Sequence, residues 1–453
     1  MLNGTLHSEI TELFQRIKRT HLQEFSWLFV SSILTILIGF LLIKVISRIG
    51  PEEYGKYALV LSIVPLVNAV IYVPIDQYCQ RYYYSFYHEN TSSIFVEKII
   101  SIIKKVSISI MSLSIFGVLI SKYFLKLDIS EVYFGIVSCF YIIIATSSIP
   151  FQSLLNTMRK RKAAALFSIG EKALQLLGLF LIASVLHLDA FLVLAACAVG
   201  SACFLVGRVV CINRQKHPED QEGQENPRTL PRIYRQLFSF GLPILFFGIL
   251  TWLQTNGERW VLQFSLGLED VGRYTMMAMI CQTLLLIIQA PYSSFMGPIT
   301  WEKFANLNDA AKVSEGLKLI RLSVIFLLLE MIIISSMLYF FSDLIVIVLS
   351  GKLFATHSRL MPLIFIGIAL FFLGQTLNSV GFGLNKMAKY TFPKVSGAII
   401  ALACYAVGAH LGGIPGIAWA SVIANSMYVG LTLIANRNIL CAFFQDKSPV
   451  QCT

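Results

Sequence analysis

The chain has 453 residues, of which 56% are hydrophobic and 13% charged, with a formal net charge of +11. Soluble domains are about a quarter charged, so a chain of this length with so few charges cannot cover its surface in water. Nucleic acid is excluded as the partner of the positive balance, because Lys and Arg are scattered singly and in pairs between apolar runs and form no basic patch.

Residues 1–25 are polar and predict a cytoplasmic segment. They are too long for the n-region of a signal peptide, and no small-residue cleavage site follows the first apolar run, which therefore reads as a retained helix. Apolar runs of about 20 residues, the length that crosses a ~30 Å hydrocarbon core, then recur to the end. They predict twelve transmembrane helices and an all-α polytopic membrane protein. The first six spans (26–47, 57–75, 106–124, 132–151, 163–186 and 190–211) form an N-terminal bundle over 26–211. Residues 212–236 read as a cytoplasmic linker, with prolines at 218, 227 and 231 and an acidic cluster of Glu219, Asp220, Glu222 and Glu225. The last six (238–256, 271–291, 319–341, 360–380, 395–410 and 414–435) form a C-terminal bundle over 237–435, ahead of a cytoplasmic tail, 436–453.

About 26 of the 36 Lys and Arg fall on the side of the two termini, and about 8 in the alternate loops (Arg48, Lys56, Lys122, Lys126, Arg259, Arg273, Lys352, Arg359). Basic loops stay in the cytoplasm, so both termini face it. The exterior loops are short, which speaks against a membrane glycosyltransferase or polysaccharide polymerase, since either needs an external segment to carry its reacting groups. The chain is expected not to be an enzyme. Its nine cysteines show no C-x-x-C spacing, and most (Cys139, Cys197, Cys203, Cys281, Cys404) lie in apolar runs. No disulfide framework, metal site or cofactor is expected.

An internal repeat links the halves. Gly50-Pro-Glu-Glu-Tyr-Gly-Lys-Tyr57 precedes the second span and Gly267-Leu-Glu-Asp-Val-Gly-Arg-Tyr274 the eighth, so position 50 corresponds to position 267. Pro74 and Pro291, read as closing the following helices, keep that same offset; Gln152-Ser-Leu154 and Gln375-Thr-Leu377 are related by a slightly larger one. Six helices between copies makes the repeats parallel, the arrangement of many transporters with a substrate path between halves. Gly50-x4-Gly55-Lys56 has Walker A spacing, but Tyr57 stands where Ser or Thr must hold magnesium. A tight turn is the better reading, with the acidic pair starting a helix near its positive end.

The stretch Phe238-Ser-Phe-Gly-Leu-Pro243, then Glu258-Arg259-Trp-Val-Leu-Gln-Phe-Ser-Leu-Gly267, then Val271-Gly-Arg-Tyr274 resembles the polysaccharide-export family of lipid-linked oligosaccharide flippases. That family shares a superfamily with multidrug exporters of the MATE type and the lipid II flippase. Members typically carry Gly-Leu-Pro, an acidic residue followed by Arg, Leu-Gly and Val-Gly-x-Tyr. Here Glu258 stands where Asp is commoner, and Gln263 replaces a glycine. The resemblance covers nearly the whole chain. It implies two six-helix bundles around a central cavity, working by alternating access. The implied substrate is an undecaprenyl-pyrophosphate-linked oligosaccharide repeat unit of O-antigen or capsule type, carried across the bacterial inner membrane. Membrane lipids, the polysaccharide polymerase and the chain-length machinery are the implied partners. A MATE-like drug/cation antiporter is the rival, and it would favour a cavity with more acids than bases.

An anionic pyrophosphate requires fixed positive charge in the cavity. The candidates are Lys44, Arg48, Arg81, Lys172 and Arg259, with Asp76, Glu171 and Glu330 as candidates for ion coupling. Several have a plainer alternative. Lys44 has the length to snorkel, Arg81 to pair with Asp76, and Glu258 to form a salt bridge with Arg259. Glu330 is either a mid-membrane proton relay or a neutral, hydrogen-bonded acid. Prolines at 65, 74, 150, 243, 291 and 362, with Gly374, Gly381 and Gly383, predict kinked helices able to rock.

Overall fold

The computed structural model describes residues 19–437 apart from 90, 127, 215–228, 305–306, 308 and 385. Among the described residues the chain is all helix and turn. The N-terminal half contains α1 (Arg19–Ile46), α2 (Pro51–Val67) and α3 (Val73–His88), then α4 (Ser92–Leu125), α5 (Ile129–Thr157), α6 (Arg161–Val185) and α7 (Ala190–Asn213). The C-terminal half contains α8 (Thr229–Ser265), α9 (Leu268–Lys303), α10 (Ala310–Ser350), α11 (Met361–Gly383) and α12 (Thr391–Ala435). α1 packs on α6 and α5 on α7 in one bundle; α8 and α11 pack on α12 in the other.

Among the described residues, eleven helical stretches are long and apolar enough to span a membrane, the last running 49 residues from Met387 to Ala435. At 1.5 Å per residue that would be ~74 Å, more than twice the hydrocarbon core. Gly413 resolves the excess. Its backbone leaves the helix at φ 59°, ψ −136°, a conformation open to glycine. The two arms fold back so closely that a methyl group on Gly416 would lie 1.9 Å from the Gly408 carbonyl oxygen. Among the described residues the count is therefore twelve crossings, two sets of six, as the apolar runs predict.

Both copies of the repeated motif form the same turn. Gly50 and Gly267 take φ of 84° and 100°, and Glu52–Glu53 and Glu269–Asp270 fill the first turns of α2 and α9, where the helix dipole favours acids. Glu53 also accepts a hydrogen bond from the Ala190 N–H at 3.1 Å, capping α7. The copies dock on one another. A methyl on Gly55 would lie 2.0 Å from the Leu268 carbonyl oxygen, and one on Gly272 1.9 Å from that of Pro51. Each repeat thus supplies one bare glycine and one carbonyl to the same contact. Close backbone approach through small residues is the main source of helix association in a membrane, where apolar burial between helices gains little.

Three expectations need correction. Pro74 and Pro291 do not close helices. Pro74 is the second residue of α3, after a π-helical turn, Asn68–Tyr72, whose wider bonding accommodates the missing N–H; Pro291 lies inside α9. Residues 229–236 of the expected linker are the start of α8, because helices project beyond the apolar stretch that hydropathy detects. Lys394, expected in a loop before a span beginning at 395, belongs to α12. The acidic cluster Glu219–Glu225, the segment 1–18 and the tail 438–453 lie outside the described residues.

Candidate functional site

The two halves meet along the seam where α2 and α3 pack on α8 and α9. At the end carrying the Gly50 and Gly267 turns it is closed by polar contacts as well as by the glycines. Trp252 and Trp260 of α8 donate their indole N–H groups to the Ser62 carbonyl oxygen and hydroxyl at 2.6 and 3.0 Å. Tyr54 donates to Met279 Sδ at 2.9 Å. Arg259 is buried beside this contact, near Tyr54. It forms no salt bridge with Glu258, which instead accepts a hydrogen bond from the Tyr274 hydroxyl at 2.7 Å. Arg259 Nε is buried without a hydrogen-bond partner.

At the other end of the seam, Pro74 lies against Gly241 and Ala69 against Gly248, and Tyr78 donates to Gln236 Oε1 at 3.2 Å. Arg81 does not pair with Asp76. Asp76 accepts from Gln80, which also donates to Ser153 at 2.9 Å, while the Arg81 guanidinium lies 5.1 Å over the Phe240 ring of the opposite bundle and 5.7 Å over Tyr82. Lys44 and Arg48 are exposed at the end of α1, in register with exposed Leu34, Leu37 and Leu41. That stripe sets the two cations apart from Arg81 and Arg259.

Glu171 and Lys172 point different ways, as neighbours on a helix must. Glu171 accepts from Ser201 at 2.7 Å and pairs with Arg208 at 2.8 Å. Arg208, 3% exposed, also donates to Gln152 Oε1 at 3.0 Å and to the Ser148 hydroxyl. Lys172 donates to Gln175, which in turn donates to Ser201. Arg208 was not among the expected residues, although a lone arginine inside the apolar run 190–211 is a signal in itself.

Besides Glu258 and Arg259, the C-terminal bundle holds two more buried charges among the described residues. Glu330 is 4% exposed and accepts from Gln289, its other oxygen having no partner. Lys394, also missed, is 1% exposed. Its ammonium lies 5.1 Å from the Phe371 ring centre and 5.2 Å from that of Tyr428, with no hydrogen-bond acceptor. Two desolvated cation–π contacts contribute about 2 kcal/mol or more each, set against several kcal/mol for removing an ammonium from water. The offset that relates Gln152 to Gln375 also relates Glu171 to Lys394. Among the described residues no three His, Cys, Asp or Glu side chains are grouped to hold a metal ion.

Residues 21–299 match the family model described as "Polysaccharide biosynthesis protein". No curated protein sequence matches. Among solved structures, the fold is similar to an inward-facing multidrug resistance MATE family transporter of the MOP superfamily (TM-score 0.67, 12% identity, 91% of this chain and 96% of that one). It is similar to the lipid II flippase MurJ in an inward closed conformation (TM-score 0.60, 17% identity, 93% and 91%). A third is the Vibrio cholerae MATE transporter VcmN in its bent form (TM-score 0.63, 13% identity, 93% and 97%).

Proposed function

Because this chain belongs to the polysaccharide biosynthesis protein family, as the Gly-Leu-Pro and Val-Gly-Arg-Tyr stretches lead one to expect, we propose that it is a carrier for the lipid-linked sugars of that pathway. It flips undecaprenyl-pyrophosphate-linked oligosaccharide repeat units, of O-antigen or capsule type, from the cytoplasmic to the outer leaflet of the inner membrane, by alternating access and without chemistry on its cargo. Both termini lie in the cytoplasm, which makes the Gly50–Gly267 contact the exterior seal. The outer leaflet is where a polymerase and chain-length machinery would take over.

One observation carries this reading: the seam between bundles holds two arginines that form no salt bridge with a carboxylate, Arg81 against Phe240 and Arg259 beside Tyr54. Phe240 and Arg259 both belong to α8, and their positions are ~28 Å apart along a helix, about the thickness of the hydrocarbon core. A pyrophosphate group moving along the seam meets a cation near each face. The acids nearest them, Asp76 and Glu258, are engaged by Gln80 and Tyr274, which favours an anionic cargo over the cationic cargo of an antiporter. Glu330 is the acid placed to couple transport to an ion gradient.

The test is a deletion strain of the native host, assayed for surface polysaccharide and for lipid-linked repeat units. Loss of surface glycan with complete single units accumulating on the cytoplasmic leaflet supports the flippase. Single units that reach the outer leaflet and stay unpolymerised would place the protein after flipping. Complementation with Arg81→Gln or Arg259→Gln is expected to fail at normal protein levels.

A further inference from the structure

Lys394 has an unusual side-chain direction. It lies one turn inside the start of α12, where a lysine has ample length to reach the membrane surface. It runs inward instead, between Phe371 of α11 and Tyr428 of the second arm of α12. The polar groups around it are as lightly used as it is. Gln254 of α8, against Gly397 one turn along from Lys394, has neither its amide nitrogen nor its oxygen bonded; Asn378 donates to the Tyr428 hydroxyl while its oxygen stays unpartnered. Ionisable residues inside a membrane bundle are rare, usually paired and often functional, and this one has no hydrogen-bond acceptor.

We propose that Lys394 is a proton-binding site through which the C-terminal bundle couples its packing to the proton gradient. It rests on the carrier reading only in taking the bundles to move. An ammonium held by two ring faces and no lone pair is tolerated or not according to how those rings, and any water between them, are arranged. Rearrangement of α11 against the arms of α12 therefore changes the affinity of the amine for its proton, and by linkage the proton changes the arrangement. The amine takes one proton from water and returns it to water; nothing else is consumed.

Few other groups near the amine could supply such a response. The titratable group against the amine is the Tyr428 phenol, bonded to Asn378. The Tyr390 phenol, on the turn before α12, is bonded to Asn436, and Lys386 and Lys389 on that turn are exposed. Glu258, one turn beyond Gln254 on α8, is held by Tyr274. Among the described residues no carboxylate pairs with Lys394.

The experiment uses the full chain in lipid nanodiscs, with paired spectroscopic labels on unnatural amino acids at Lys160 and Lys386. Both positions are exposed, on the α5–α6 and α11–α12 turns of opposite bundles. Wild-type protein is expected to show a label separation that changes between about pH 6 and pH 10, the range open to a perturbed lysine. Lys394→Met, permanently neutral, should hold the high-pH separation at every pH. Lys394→Arg, permanently cationic, should hold the low-pH one. A wild-type separation independent of pH, or a pH response that survives in Lys394→Met, overturns the proposal. The methionine variant leaves no ion unpaired and is expected to fold, so it carries the test if the arginine variant does not. No cargo is present, so this result stands or falls separately from the identity of the substrate.

Discussion

In the N-terminal bundle Glu171 is met by Arg208 at 2.8 Å and by Ser201 at 2.7 Å; at the corresponding position of the C-terminal bundle, Lys394 meets only the faces of Phe371 and Tyr428. The two bundles repeat one architecture, and at matching positions one holds a half-buried acid with a full set of partners while the other buries a base with none. A satisfied network joins its helices. Serine, glutamine, glutamate and arginine on α5, α6 and α7 thus make the N-terminal bundle a single piece. A lone charge makes the packing around it conditional. The division suggested is a rigid N-terminal bundle and a responsive C-terminal one.

The strongest way to break this comparison is to unpair the paired charge. Arg208→Met leaves Glu171 without its cation, and removing one partner of a buried pair destabilises by about 3–5 kcal/mol. Thermal unfolding in detergent should show a large loss, mostly restored by the double variant Arg208→Met/Glu171→Gln. The same substitution at the other position should act in the opposite direction. Lys394→Met is expected to leave stability unchanged or raise it by about 1–4 kcal/mol, as when buried ionic groups give way to packed apolar ones. If it destabilises as Arg208→Met does, the bundles are alike after all.

Symmetric positions outside the two networks provide the control. Gly55→Ala and Gly272→Ala each drive a methyl into the other repeat's carbonyl, and overpacking of this kind costs about 1–3 kcal/mol. The two effects should agree, measured in the same unfolding assay, with both variants loosening the same contact. The smallest expected change is Ser201→Ala, which removes one donor to Glu171 and should cost about 1 kcal/mol; the carboxylate keeps its arginine.

Much of the architecture was legible because a bilayer imposes a length. Apolar runs of bilayer length predict twelve crossings, although the last two follow one another with almost no polar separation. The repeat was legible as Gly50 and Gly267, since few residues other than glycine adopt their backbone angles. The site was legible only in part. Depth in a span singled out Glu171 and Glu330, but hydropathy is silent on which way a side chain turns. Arg208 sits about one turn inside its span, where a long basic side chain could equally reach the membrane surface. Lys394 follows Pro393 and two other lysines, so the segment read as a loop; proline is in fact admissible in a helix's first turn. Nor could sequence separate Arg81 from nearby Asp76, since their divergence depends on Phe240 in the other half of the chain.

The contact between Gly55 and Leu268, mirrored by Gly272 and Pro51, has the logic of an isologous interface, in which one surface patch serves as both sides. A half-length chain carrying a single such turn would already own the glycine that receives its partner's carbonyl and the carbonyl that its partner's glycine receives. Two such chains could close on one another about a twofold axis with no new chemistry, and joining them end to end would preserve the contact while freeing each half to change its other residues. The opposite charges at Glu171 and Lys394 are what that freedom looks like.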